Sequence, residues 1–164
     1  MDGQTINKRL FMRAFFRIIN SLIIIPSYRK GFGKVIAQFA GDIMVLGIIG
    51  RCTKKIRYAP VSYARLDGRI YCYQGKETKG QWYLNLLANP DVTVILPERT
   101  FSGRGEEVRD AAERLKAMRA ILKGSGLYSA MYGFDPLTAP DDVVLERTKG
   151  IHVIRIQEDQ AFAG

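Results

Sequence analysis

KIRYAPVSYARLDGRIYCYQ, residues 55–74, is the stretch that decides the fold. Two strand-like runs, 55–66 and 69–74, flank Asp67-Gly68. This dipeptide is the strongest short-range sign of a β-hairpin, because a type I′ turn needs positive φ at both central positions. If Leu66 faces Arg69, the numbers of opposite residues sum to 135. Tyr63 then faces Cys72, Pro60 faces Gly75 and Ala59 faces Lys76, which brings Lys76 to the hairpin end that carries Arg57.

Working outward, Asp42 to Ile49 is an unbroken apolar run of strand length, as expected of a strand buried on both faces. Downstream, Lys79-Gly80-Gln81-Trp82 opens a helix that runs through Leu84, Leu86 and Leu87 to Ala88 and stops before Pro90. Val92–Leu96 and Thr100–Arg109 read as strands separated by Pro97-Glu98-Arg99. Val108, Ala111, Ala112, Leu115, Met118 and Leu122 follow helical spacing up to Gly124. An aromatic segment with Tyr128, Tyr132 and Phe134 lies among Gly124, Gly126 and Gly133. A short helix over Asp141–Arg147 and a strand over Ile151–Ile156 close the chain. Five to six strands without βαβ alternation predict an α+β, mainly β protein: a small antiparallel barrel with N-terminal hydrophobic helices and peripheral helices.

Charge divides the chain. The first 57 residues hold 11 Lys/Arg against two acids, so the whole net charge of +9 belongs to them. Residues 1–40 read as an amphipathic helical segment and residues 41–164 as the barrel of a single globular domain. From Thr5 to Ile25, Arg9, Arg13 and Arg17 recur every four positions on a helix otherwise covered by Leu, Phe and Ile. Pro26 is expected to end it. So wide an apolar face needs burial, either in the interface of an anionic membrane or against the barrel or a dimer seam. Arg13 and Arg17 interrupt the apolar run, and no small-residue cleavage site follows it, so it is read as retained and too short to span a bilayer. The expected location is cytoplasmic, peripheral on the inner face of the plasma membrane.

Nucleic acid is disfavoured as a partner, because the balanced remainder offers no long basic track with stacking aromatics. The two cysteines, Cys52 and Cys72, and the single His152 have no zinc-site spacing, so no metal is expected, and reduced thiols are the simpler reading of the cysteines. A lone strand histidine is more often packed or exposed than catalytic, and His152 is left out of the candidate site.

Chemistry concentrates at one end of the expected barrel. The turn Gly50-Arg51-Cys52-Thr53-Lys54-Lys55-Ile56-Arg57, the segment Gln74-Gly75-Lys76 and the helix start at Gly80 to Trp82 would together make an anion site. Helix-start N–H groups favour a phosphate, and arginine and lysine supply charge-assisted hydrogen bonds.

The pattern Gly50-Arg51-Cys52-Thr53-x-Lys55-x-Arg57-x-x-Pro60, followed by Gly75-x(6)-Trp82-Tyr83-x-Asn85-Leu86-x-Ala88-Asn89-Pro90-x-Val92, resembles the paired signature of the deazaflavin-dependent nitroreductase family in the flavin-binding split β-barrel superfamily. Lys54 stands where that family commonly has glycine, and Cys52 where a basic residue is usual. The resemblance implies a split barrel binding coenzyme F420, with FMN as the alternative cofactor, and hydride transfer from the reduced coenzyme to a quinone, nitro compound or other lipophilic acceptor. It implies that Arg51, Thr53, Lys55 and Arg57 hold the anionic phospholactyl-glutamate tail, and Lys54 and Lys76 of the same basic cluster join them as candidate cofactor-binding residues. Pro60, Gln74 and Gly75 would line the ring system, with Trp82 packing beside the cofactor or anchoring the helix in the core. Tyr128 and Tyr132 are the candidates for the catalytic, acceptor-side role, or else fill core space. The alternative function is a non-catalytic split-barrel module holding a fatty acid, another lipid or a flavin-like ligand, and a homodimer that covers the open barrel edge is a further expectation.

Overall fold

The computed structural model describes residues 24–30, 32, 42–75, 80–124 and 133–159. Its centre is a closed barrel of strands β1 (Ile43–Ile49), β2 (Ile56–Leu66), β3 (Arg69–Gln74), β4 (Asp91–Ile95), β5 (Thr100–Glu107) and β6 (His152–Glu158), in the order β1-β2-β3-β6-β5-β4. Every pairing is antiparallel, and β1 closes the ring against β4 through Val45↔Ile95 and Ile48↔Val92.

The hairpin forms in the expected register. Leu66 pairs with Arg69 and Tyr63 with Cys72. Asp67 and Gly68 adopt φ of 52° and 74°, the left-handed pair that a type I′ turn requires. The expected pairs Pro60–Gly75 and Ala59–Lys76 are not continued in this ladder, which ends at Tyr63↔Cys72, and Lys76 lies outside the described residues. Pro60 has no N–H to give to a ladder and pairs with Val45 of β1, whereas Tyr73 and Gln74 of β3 pair with Val153 and His152 of β6. The two strands of the hairpin therefore part towards their open end.

Inside the barrel, Met44, Leu46, Ile48, Val94, Cys72, Ile154 and Ile156 are buried almost completely. Helix α2 (Gln81–Ala88) caps one end by inserting Tyr83 and Leu86 into this cluster. A Cβ on Gly105 would stand 2.8 Å from the Leu86 side chain, so the bare backbone of β5 is what lets Leu86 enter. The alternate residues of β1 are buried from outside: Val45 packs with Ile95, Ile24 and Tyr28. This explains the unbroken apolar run in β1.

Helix α3 (Ala111–Gly124) lies on the outer face of β2, β3 and β6. Asp110 caps its first turn by accepting from the Glu113 N–H at 2.7 Å. Its core stripe is Ala117, Met118, Ile121 and Leu122, whereas Ala111 and Ala112, expected on that stripe, are exposed. The first turn is held by the Glu113 carboxylate, which accepts from the Tyr71 hydroxyl and from Arg155, while the apolar contacts with Tyr71 and Val153 come from the later turns. Helix α4 (Asp141–Arg147) has the bounds read from the sequence.

Near the N-terminus, Pro26 is not the last residue of the helix that contains it. It stands in the first turn of α1 (Ile25–Arg29), where a missing N–H costs no intrahelical bond. The Tyr28 hydroxyl donates to the Ile43 carbonyl at 2.6 Å, which ties α1 to β1. The amphipathic run 5–25 falls almost wholly outside the described residues. Among the described residues no helix is long and apolar enough to cross a membrane. Cys52 is exposed, Cys72 is buried in the barrel, and both are free thiols.

Candidate active site at one end of the barrel

The antiparallel registers place several segments at one end of the barrel. These are the β1–β2 turn, the end of β3 with Gln74 and Gly75, helix α2, the end of β5 with Glu107, and the start of β6 with His152. The anion-site segments named from the sequence thus share one rim.

The basic turn is rigidly built. The Gly50 N–H donates to the Lys55 carbonyl at 2.9 Å, and the Lys54 N–H donates to the Gly50 carbonyl at 2.8 Å. A Cβ at Gly50 would meet Thr53 Oγ1 at 2.8 Å and the Lys55 carbonyl oxygen at 3.2 Å, which explains glycine there. Lys54 has φ of 55°, so this chain keeps the left-handed turn with a residue other than glycine. Thr53, Lys54, Lys55 and Arg57 are exposed and Arg51 is half-buried. Among the described residues no carboxylate pairs with any of these cations, although Arg65, Arg99, Arg104, Arg119 and Arg155 elsewhere all have acidic partners.

Asn85, buried at 6% exposure on α2, fastens this turn. Its Oδ1 accepts from the Arg51 backbone N–H at 3.2 Å and from Arg51 Nη1 at 2.9 Å. The sequence motif contains Asn85, but its role was not read from it. The available sign was a polar residue among Leu84, Leu86 and Leu87 of a short apolar helix.

At the end of β3, Gln74 is buried and Gly75 half-buried. The Gln74 Nε2 donates to the Gly75 carbonyl at 3.3 Å, and a Cβ on Gly80 would fall 2.2 Å from Gln74 Oε1. The start of α2 therefore sits directly on the Gln74 amide. Among the described residues, a Cβ on Gly75 would meet nothing within 4 Å, so that backbone faces open space. Trp82 is half-buried against the barrel core and edge-on to Tyr83, with centroids 6.2 Å apart, which suits the helix-anchoring role. Pro60 lies half-buried on β2. Lys76, Tyr128 and Tyr132 lie outside the described residues.

A polar cluster that the sequence motifs do not bring together lies on the same rim. His152 Nδ1 lies 2.6 Å from Glu107 Oε1, and the Tyr83 hydroxyl donates to Glu107 Oε2 at 3.0 Å while lying 3.2 Å from His152 Nδ1. The Tyr83 and His152 rings are stacked, 4.7 Å apart. Burial, and then the Glu107 carboxylate, push the Tyr83 hydroxyl up to about 12, so it stays a neutral donor at ordinary pH. Sequence spacing could not reveal this cluster, because its members come from α2, β5 and β6.

Several solved structures share this architecture. An F420-H2 dependent reductase is 20% identical, with a TM-score of 0.53 over 71% of this chain and 94% of that one. A conserved hypothetical protein, Rv2991 from Mycobacterium tuberculosis, is 19% identical, with a TM-score of 0.55 over 77% of this chain and 80% of that one. A third, described as a domain-swapped dimer, is 17% identical, with a TM-score of 0.55 over 92% and 99% of the two chains. At these identities the likeness establishes the split-barrel fold. No curated protein matches the chain. Residues 23–130, more than half of the sequence, match the profile of the family described as F420H(2)-dependent quinone reductase, and the run includes the basic turn, Gln74, Gly75 and all of α2. The chain belongs to the F420H2-dependent quinone reductase family, and is an oxidoreductase that uses coenzyme F420.

Proposed function

We propose that this protein transfers a hydride from reduced F420 to a lipophilic acceptor such as a quinone or a nitro compound. In this reading, Arg51, Thr53, Lys54, Lys55, Arg57 and Lys76 hold the anionic tail of the coenzyme. Pro60, Gln74, Gly75 and Trp82 border its ring system. The observation that carries the reading is the basic turn whose cations, among the described residues, have no acidic partner. Cations held together without counter-charges on a bonded turn favour an external anion.

The residues present fit the coenzyme. The donor set is cationic where the tail is anionic, and the open space over Gly75 leaves the backbone free for close approach. When bound, the coenzyme supplies the hydride. The chain's own work is placement. Asn85 holds Arg51 in one orientation, so less side-chain freedom is lost when an anion binds. The buried Gln74 amide, seated under the start of α2, gives the ring pocket a fixed polar wall. Tyr128 and Tyr132 are assigned to the acceptor side. The arginine-striped run 5–25 is assigned to an anionic membrane surface, where a lipophilic acceptor would be concentrated.

Titration of F420 fluorescence with the purified protein tests the coenzyme site. Saturable binding is expected for F420 and none of comparable strength for FMN. Arg57→Ala should weaken F420 binding about 10- to 100-fold, the weight of one charge-assisted hydrogen bond. Equal binding by wild type and variant would remove the turn from the site.

A further inference from the structure

The Tyr83–His152–Glu107 cluster has the geometry of a proton-delivery group. A carboxylate only accepts hydrogen bonds, so the 2.6 Å contact between Glu107 Oε1 and His152 Nδ1 requires the proton to sit on Nδ1. The Tyr83 hydroxyl gives its own proton to Glu107 Oε2, which leaves its oxygen free to face Nδ1. Glu107 thereby fixes both the tautomer and the ring orientation. Among the described residues Nε2 makes no hydrogen bond, and the His152 side chain is 32% exposed. Its place on the rim is set by the sheet: His152 is the cross-strand partner of Gln74, and such pairs stand about 5 Å apart.

We propose that His152 is the general acid of this reductase, positioned by Glu107 and Tyr83, and that it delivers a proton from Nε2 to the reduced acceptor. The step balances. The acceptor gains the hydride, and with it two electrons, from reduced F420, which leaves an oxyanion on a quinone. The Nε2–H bond of the imidazolium breaks as the new O–H bond forms. Neutral His152, still donating from Nδ1 to Glu107, then regains a proton from water. Among the described residues, the charged and titratable groups meeting the ring are Glu107 on β5 and Tyr83 on α2, and its partner on β3, Gln74, is neutral.

This inference rests on the F420-dependent reading above, and its test separates the two. His152 is the only histidine, so its imidazole gives one set of NMR signals. In the wild type, the neutral ring should be the Nδ1–H tautomer, and Glu107→Gln should produce a tautomer mixture. Added F420 should shift the His152 signals. With reduced F420 and a water-soluble naphthoquinone, His152→Gln and His152→Asn should each lower kcat on the order of 100-fold. F420 affinity should be retained, and the alkaline limb of the pH profile should be lost. Glu107→Gln should lower kcat with little change in KM. Variants that bind F420 yet keep the wild-type kcat and pH profile would overturn the proposal, as would an Nε2–H tautomer in the wild type. A wild type that does not bind F420 would overturn the reading beneath it instead.

Discussion

Arg51 and Asn85, 34 positions apart in sequence, are joined twice: one amide oxygen on α2 receives both the backbone N–H and the guanidinium of the arginine in the basic turn. This single contact makes the turn and the capping helix one body, and it links the two halves of the sequence motif physically. Replacing Asn85 by Ala should cost about 1–3 kcal/mol of stability, because a half-buried N–H loses its partner. It should also weaken F420 binding on the order of 10-fold by freeing Arg51. Urea denaturation and fluorescence titration measure the two effects. Stability loss with unchanged affinity would show that Arg51 takes no part in binding.

Lys54 occupies a left-handed conformation at φ 55° that glycine adopts without strain. Lys54→Gly should therefore raise stability by roughly 1 kcal/mol, through relief of the Cβ clash. If Lys54 holds the coenzyme tail, the same change should weaken F420 binding and reduce its dependence on salt, since one cation is gone. Denaturation midpoints and titrations at two ionic strengths test the pair of effects together.

Gly75 and Gly80 should respond oppositely to added methyl groups. At Gly75 the Cβ has open space, so Gly75→Ala should leave stability unchanged while obstructing the coenzyme. At Gly80 the Cβ would overlap Gln74 Oε1, the far end of a flexible side chain. Gly80→Ala should displace the Gln74 amide at a cost of about 1–3 kcal/mol, because the buried amide then gives up its bond to the Gly75 carbonyl. A crystal structure of Gly80→Ala with Gln74 unmoved would refute this.

Alkaline stability carries a defined sign. Burial is the main cause that pushes the Tyr28 and Tyr83 hydroxyls from 10.0 up to about 12. Below pH 10 both phenols are neutral in the folded and unfolded chains. Above it the unfolded chain releases protons that the folded chain retains, so stability should fall as pH rises from about 10 towards about 12. Tyr83→Phe and Tyr28→Phe should each make that fall shallower, as chemical denaturation across the range would show.

Local chemistry was the part of the fold most legible in the sequence. Asp67-Gly68 specified the turn, its register and the pair Tyr63↔Cys72, and Pro90 and Gly124 marked helix ends. Tertiary geometry was not legible. The parting of β2 and β3 at Pro60 depends on barrel closure, and the exposure of Ala111 and Ala112 depends on α3 making its apolar contacts only from Ala117 onward. Pro26 was ambiguous in principle, because the ring that breaks a helix interior also suits a first turn. In the candidate site, the cationic turn was visible as a charge run. His152 reads as solitary in the sequence because its partners, Glu107 and Tyr83, lie 45 and 69 positions away.

The most direct test of the account is stopped-flow mixing of the protein and reduced F420 with a naphthoquinone, following the return of oxidised F420 absorbance. Saturable, enzyme-dependent oxidation by the wild type, slowed at low coenzyme concentration in Arg57→Ala, is the predicted result. No oxidation above the protein-free rate, from protein that demonstrably binds the coenzyme, would contradict it.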